Sequence, residues 1–150
     1  MSSTSMDHIG ITVTSLEQSL EFWAKLLSAV VVDRRKLESA EIGRMVNYDG
    51  AVIDRALLES PFGFSLELLQ YISHPDGLVQ PRAARPGTVH VCIISDEFNR
   101  IWEQALGCGS VPVGKSPVSL PSPDGRTFKV GYVITPDGIM LELKEAIAPK

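Results

Sequence analysis

The sequence predicts an α+β fold made of two βαβββ modules in tandem. Three observations lead there. A short strand carrying a histidine opens each half, as Asp7-His8-Ile9-Gly10-Ile11-Thr12-Val13 and as Val89-His90-Val91-Cys92-Ile93-Ile94. A strand carrying Leu-Glu-Leu closes each half, as Phe64-Ser65-Leu66-Glu67-Leu68-Leu69 and as Gly138-Ile139-Met140-Leu141-Glu142-Leu143. Between these strands each half holds one apolar stripe at helical spacing, followed by β-prone segments. Repetition on this scale signals two packed copies of one supersecondary unit.

In the first half the His8 strand runs into Thr14-Ser15-Leu16-Glu17-Gln18, a helix start. Ser15 has the N-cap place and Gln18, three residues on, that of its capping-box partner. Leu16, Leu20, Trp23 and Leu27 form the stripe, with Trp23 as a packing anchor. Arg34 to Gly43 reads as a loop. Strand-prone stretches lie at Ala29 to Val32, Arg44 to Tyr48 with Ala51 to Leu58, and Phe64 to Tyr71. In the second half Ser95-Asp96-Glu97 starts a helix with the stripe Phe98, Ile101, Trp102 and Ala105. Gly107 and Gly109 stop it, because glycine readily takes the left-handed conformation after a helix. Strands are expected at Val111 to Val113, Thr127 to Thr135 and Ile139 to Lys144, with a loop from Gly114 to Gly125. Pro61-Phe62-Gly63 and Pro136-Asp137-Gly138 are turns ahead of the closing strands. The expected organisation is a single domain over 1–150, with modules at 6–72 and 88–145 and a linker at 73–87 containing His74.

Composition narrows the function classes. Hydrophobic residues make up 44% and charged residues 21% of the 150 positions, an ordinary globular balance rather than a disordered one. The formal net charge is −4, and no basic run exceeds Arg34-Arg35-Lys36, so nucleic acid is not an expected partner. No apolar run approaches the roughly 20 residues that span a bilayer, so no membrane partner is expected. Met1-Ser2-Ser3-Thr4-Ser5 has no charged head followed by an apolar stretch, and no secretory signal is expected. Two cysteines, Cys92 and Cys108, are too few for a disulfide framework, which fits a cytoplasmic location.

Strand alternation gives each candidate residue a face. Ile9, Ile11 and Val13 share one face and leave His8 on the other. Val89, Val91 and Ile93 do the same for His90 and Cys92. Leucines flank Glu67 and Glu142 from the opposite side. Two imidazoles and two carboxylates therefore lie away from the apolar face that packs on the helices. Carboxylates gathered without a partner are costly, and a divalent cation offsets them. Imidazole and carboxylate ligands suit Zn, Ni, Co, Mn or Fe(II), and the lack of thiolates argues against a closed structural zinc site.

These pieces resemble the vicinal oxygen chelate superfamily, which includes glyoxalase I, methylmalonyl-CoA epimerase and the extradiol dioxygenases. The resemblance covers about residues 6 to 145. It is carried by the His8 strand with its helix, Ser65 to Leu69, Gly87 to Val91, and Thr135 to Leu143. It implies paired modules forming an open barrel-like sheet around a metal cup, with one divalent ion per chain held by His8, Glu67, His90 and Glu142. It also implies a homodimer and a small-molecule substrate bound through oxygen, with the metal stabilising an enolate-type oxyanion.

Epimerase-type members carry a second carboxylate on a strand before the first Glu ligand, and Ala51 to Leu57 places Asp54 near that position. Asp54 is thus one base candidate, against its reading as an exposed strand residue. Glu142 is the stronger one, since glyoxalase-like members can use a metal-bound glutamate as base. Cys92 lines the pocket or is a small buried hydrophobe, the second being preferred. Tyr132 faces either the cup or the core. Arg126 and Lys129, just after the Gly114 to Gly125 loop, meet an anionic substrate or are simply solvated. The function expected is proton transfer α to a carbonyl, epimerase-like or glyoxalase-like, by a lyase or isomerase. The alternatives are an extradiol-type dioxygenase and a metal-free binding or resistance protein.

Overall fold

The structure is a computed structural model that describes residues 4–147. Met1, Ser2 and Ser3, on which the expectation about a secretory signal partly rests, lie outside them. The chain forms two compact units, the first ending at Gly77 and the second beginning at Leu78.

The first unit contains β1 (Ile9–Thr12), α1 (Leu16–Leu27), β2 (Val30–Leu37), α2 (Ala40–Val46), β3 (Ile53–Glu59) and β4 (Ser65–Tyr71). Its sheet has the order β1-β4-β3-β2. β1 runs parallel to β4, and the other neighbours are antiparallel. The helix start is as read: Ser15 caps α1, its side chain accepting from the Gln18 N–H. Leu16, Leu20, Trp23 and Leu27 are all buried. The Leu16 N–H is further satisfied by Gln70 Oε1 at 2.8 Å, which ties the helix start to β4.

Two expectations fail here. The loop expected from Arg34 to Gly43 is instead the second half of β2 followed by the start of α2. Charged side chains do not stop an edge strand from pairing, and β2 pairs with β3 as far as Leu37 opposite Ile53. The strand expected from Arg44 to Tyr48 is mostly helix. Ser39 caps Ile42 and Asn47 closes the helix in the left-handed conformation, so local capping outweighs the β-prone residues.

The second unit contains β5 (His90–Ile94), α3 (Phe98–Gly107), β6 (Val111–Pro112), β7 (Val118–Pro121), β8 (Thr127–Ile134) and β9 (Met140–Ile147). β5 is parallel to β9, β9 antiparallel to β8, and β6 and β7 both pair with β8. Together these two short strands take the place that β2 fills in the first unit. The loop expected from Gly114 to Gly125 therefore contains a strand, with Val118 opposite Val130 and Pro121 opposite Thr127. The α3 start also differs in detail, because Glu97 is the N-cap and makes no side-chain capping bond. Ser95 Oγ instead accepts from the Glu97 N–H at 3.0 Å.

Each sheet has one face turned to its helix. In the second unit Gly131 lies directly under Trp102, and a Cβ on it would come 2.4 Å from the ring's Cζ3. The Trp102 ring is itself stacked on Phe98, with centroids 5.7 Å apart. Gly131→Ala is accordingly expected to cost about 1–3 kcal/mol by overpacking. A denaturant midpoint within error of the parent would show that the ring moves aside freely.

Candidate metal and substrate site

In the first unit Gly10 on β1 faces Glu67 on β4, and Glu67 faces Leu57 on β3. His8 is two residues before Gly10 and shares its face. A Cβ at Gly10 would meet Glu67 Oε2 at 3.9 Å, an ordinary van der Waals contact, so β1 leaves open space beside the carboxylate. His8 Nε2 lies 3.2 Å from Glu67 Oε2. Its Nδ1 lies 2.7 Å from Asp7 Oδ2, which leaves Nε2 as the nitrogen turned toward Glu67.

The other oxygen of Glu67 is taken. Arg55 Nε donates to Oε1 at 2.5 Å, and Arg55 Nη1 donates to Asp33 Oδ2. Arg55 is buried, so a guanidinium between two carboxylates forms a charge-compensated chain behind the His8–Glu67 pair.

The second unit repeats the pair with a different support. Cys92 faces Glu142, which faces Tyr132. His90 Nε2 lies 3.1 Å from Glu142 Oε2, and the Tyr132 hydroxyl donates to the same oxygen at 2.8 Å. The His90 and Tyr132 rings meet edge to face, 5.5 Å between centroids. Burial, then the hydrogen bond to Glu142 and its charge, push the Tyr132 phenol up to about 12. It is therefore a proton donor throughout the neutral range. Partial desolvation first, and then the Glu142 carboxylate, also push the Cys92 thiol up, with Lys144 opposing.

The two pairs occupy matching register positions and are held differently. Leu57 in the first unit corresponds to Tyr132 in the second, Gly10 to Cys92, and Arg55 to Val130. Glu67 is anchored by a cation, whereas Glu142 is held by a phenol and an imidazole. Within either unit, among the described residues, the groups able to ligate a metal come as pairs and not as sets of three.

The predicted residues sort as follows. His8 meets Glu67, and His90 meets Glu142 with Tyr132 beside it. Cys92 is exposed on that same face, so the preferred reading of a buried hydrophobe is corrected. Asp54 is not brought to Glu67. It pairs with Lys36 and Gln70, three positions from Glu67 on β4 and hence on the helix side of the sheet. The charged residues on the Glu67 face of β3 are Arg55, opposite Leu69, and Glu59, opposite Ser65, and Arg55 is the one that bonds Glu67. The sequence carried no local signal for it, because the facing of β3 depends on its register against β4 across the Pro61-Phe62-Gly63 turn.

Arg126 is tied to Asp124 through Nε at 2.8 Å and Nη2 at 2.6 Å, which holds that carboxyl down at about 2. Its guanidinium sits 5.0 Å over the Phe128 ring. Lys129 points the other way, to Asn99 at 2.6 Å and over Phe98 of α3. Its reading as a substrate contact is replaced by a structural one. His74 bonds Ser73 at 2.7 Å in an exposed loop, as read.

Paired sheets of this connectivity, each carrying one His–Glu pair, define a two-module α+β class. Residues 7–128 match the family model described as Glyoxalase/Bleomycin resistance protein/Dioxygenase superfamily, and the chain belongs to that superfamily. No curated relative matches the sequence. Among solved structures the chain is similar to a glyoxalase family protein from Bacillus cereus, with a TM-score of 0.83 at 18% identity over 99% of this chain and 97% of that one. It is also similar to a mutant of the fosfomycin resistance protein FosX from Listeria monocytogenes, complexed with Mn(II) and 1S,2S-dihydroxypropylphosphonic acid. That match has a TM-score of 0.62 at 14% identity over 95% of this chain and 90% of that one. A glyoxalase I mutant from Zea mays matches with a TM-score of 0.60 at 17% identity, covering 93% of this chain and 44% of that one. At these identities the likeness is one of fold. Among the described residues no helix is long and apolar enough to cross a membrane.

Proposed function

We propose that the chain is a metal-dependent enzyme that moves a proton next to a carbonyl in a small molecule, by epimerase-like or glyoxalase-like chemistry, and that it works as a homodimer. The observation that carries this reading is the matched pair of pairs, His8–Glu67 at 3.2 Å and His90–Glu142 at 3.1 Å, each at the same point of its sheet. The donor chemistry fits a divalent ion. Two imidazole nitrogens and two carboxylate oxygens suit Zn, Ni, Co, Mn or Fe(II), and the Asp7 contact to His8 is the kind of outer-shell carboxylate that orients ligating histidines. A bound ion supplies Lewis-acid stabilisation of negative charge on a substrate oxygen.

The protein's own groups divide the remaining work. Arg55 holds Glu67 in one orientation through its second oxygen. Among the described residues no Lys or Arg pairs with Glu142, and it is the group free to take and return the α-proton. Tyr132, protonated at neutral pH, donates to Glu142 and keeps its carboxylate aimed. Cys92, opposite Glu142, is a substrate contact, whereas Arg126, before the start of β8 and tied to Asp124, stands away from the pair.

The test is metal content first. Protein purified without chelator and titrated with Mn(II), Zn(II), Ni(II) or Co(II) is expected to take up about one equivalent per chain. The His8→Ala, His90→Ala double variant is expected to bind more than about a hundredfold more weakly. Undiminished uptake by that variant would assign the ligands elsewhere. Proton exchange in deuterated water over a panel of acyl thioesters and hemithioacetals then reads the reaction. One observation favours a metal-free binding protein instead, namely that Arg55 already compensates Glu67. Uptake below about a tenth of an equivalent with every metal would select that reading.

A further inference from the structure

We propose that Lys144 is an anion-binding residue of the substrate site, taking a carboxylate-type or phosphate-type oxyanion carried by the substrate. The inference rests on the reading of Glu142 as part of that site. On β9 alternate residues share a face, so Lys144 stands beside Glu142, about 7 Å further along the strand. Its strand partners are Ile94 and Val130. Its ammonium is seated 4.2 Å from the centroid of the buried Phe128 ring, which also carries the Arg126 guanidinium at 5.0 Å.

The two cations differ in what else they touch. Arg126 is neutralised by Asp124. Among the described residues no carboxylate lies within ion-pair distance of Lys144. The neighbouring Glu145 points to the opposite face by alternation. A half-buried lysine with its ammonium held on an aromatic face, and with no hydrogen-bond or ion-pair partner among the described residues, is preorganised for an oxyanion. Val118 and Leu120 of β7 pair with Val130 and Phe128 and are half exposed, giving the same face an apolar flank for the substrate's stem. The substrate class this describes is a small molecule with a carbonyl at the Glu142 end and an anionic group about two strand residues away.

The experiment is an NMR titration of the metal-free full chain with methyl phosphate, propionate and the uncharged propionamide, following the Lys144 ε-methylene and Phe128 ring resonances. Saturable shifts are expected with at least one anion and none with propionamide; the anion that binds more tightly assigns the oxyanion type. Lys144→Met should weaken that binding about tenfold, the size of one charge-assisted hydrogen bond, and Lys144→Arg should restore most of it. No saturation at these resonances, or equal binding by Lys144→Met, would overturn the proposal. Mn(II) uptake is measured on the same variants: normal uptake with failed anion binding sinks only the Lys144 assignment. Failed uptake by the parent protein with anion binding intact sinks only the metal reading.

Discussion

Glu142→Gln is expected to lower α-proton exchange by about 10²–10⁴-fold, the range for loss of a general base. Thermodynamic stability should change by less than about 1 kcal/mol, because the amide keeps the shape of the carboxylate and can still accept from Tyr132. The contrast with Glu67→Gln carries the argument. Glu67 is bound through one oxygen to Arg55, so removing its charge disturbs a buried guanidinium as well as the His8 pair. Glu67→Gln should therefore lose stability and metal affinity before it loses a proton-transfer group. If exchange survives in Glu142→Gln and disappears in a folded, metal-loaded Glu67→Gln, the base belongs to the other arm.

The second large effect lies at Arg55. Arg55→Met removes the cation between Asp33 and Glu67, leaving Glu67 without its guanidinium and Asp33 with Arg35 alone at 3.0 Å. Breaking a buried ion pair from one side typically costs about 3–5 kcal/mol, and the partial exposure of Asp33 lowers the expectation here to about 2–4 kcal/mol. Urea unfolding of the metal-free protein measures it. Adding Glu67→Gln to Arg55→Met should recover part of the loss, since the carboxylate left without its guanidinium goes with it. A cost below about 1 kcal/mol, with no recovery in the double variant, would mean that water already screens the chain. Arg55→Lys should keep the charge and lose the two-armed geometry, so stability should return further than metal affinity.

How far the site could be read beforehand depended on how local the signal was. The facing of His8, Glu67, His90 and Glu142 follows from strand alternation, a property of the backbone that needs no partner strand. The α1 start was legible for a similar reason, because Ser15 and Gln18 act within one turn. Arg55 and Asp54 are adjacent, and which of them reaches Glu67 depends on the register of β3 against β4. That register is fixed by pairing across a turn, and a slip of one residue exchanges the two. Lys144 was passed over in favour of Lys129 for the same reason, since facing is meaningful only once α3 is known to cover the Lys129 side.

By itself the sequence determined the paired modules, the strands that carry the four candidate ligands, and the face each ligand occupies. Periodicity and caps are short-range and survive without a partner. Only the tertiary structure decided that β2 extends through a charged run, that β7 lies inside an apparent loop, and that Arg55 braces Glu67 while Tyr132 braces Glu142. These depend on which backbone groups find hydrogen-bond partners across the sheet, and that is settled by long-range pairing rather than by the residues' own preferences.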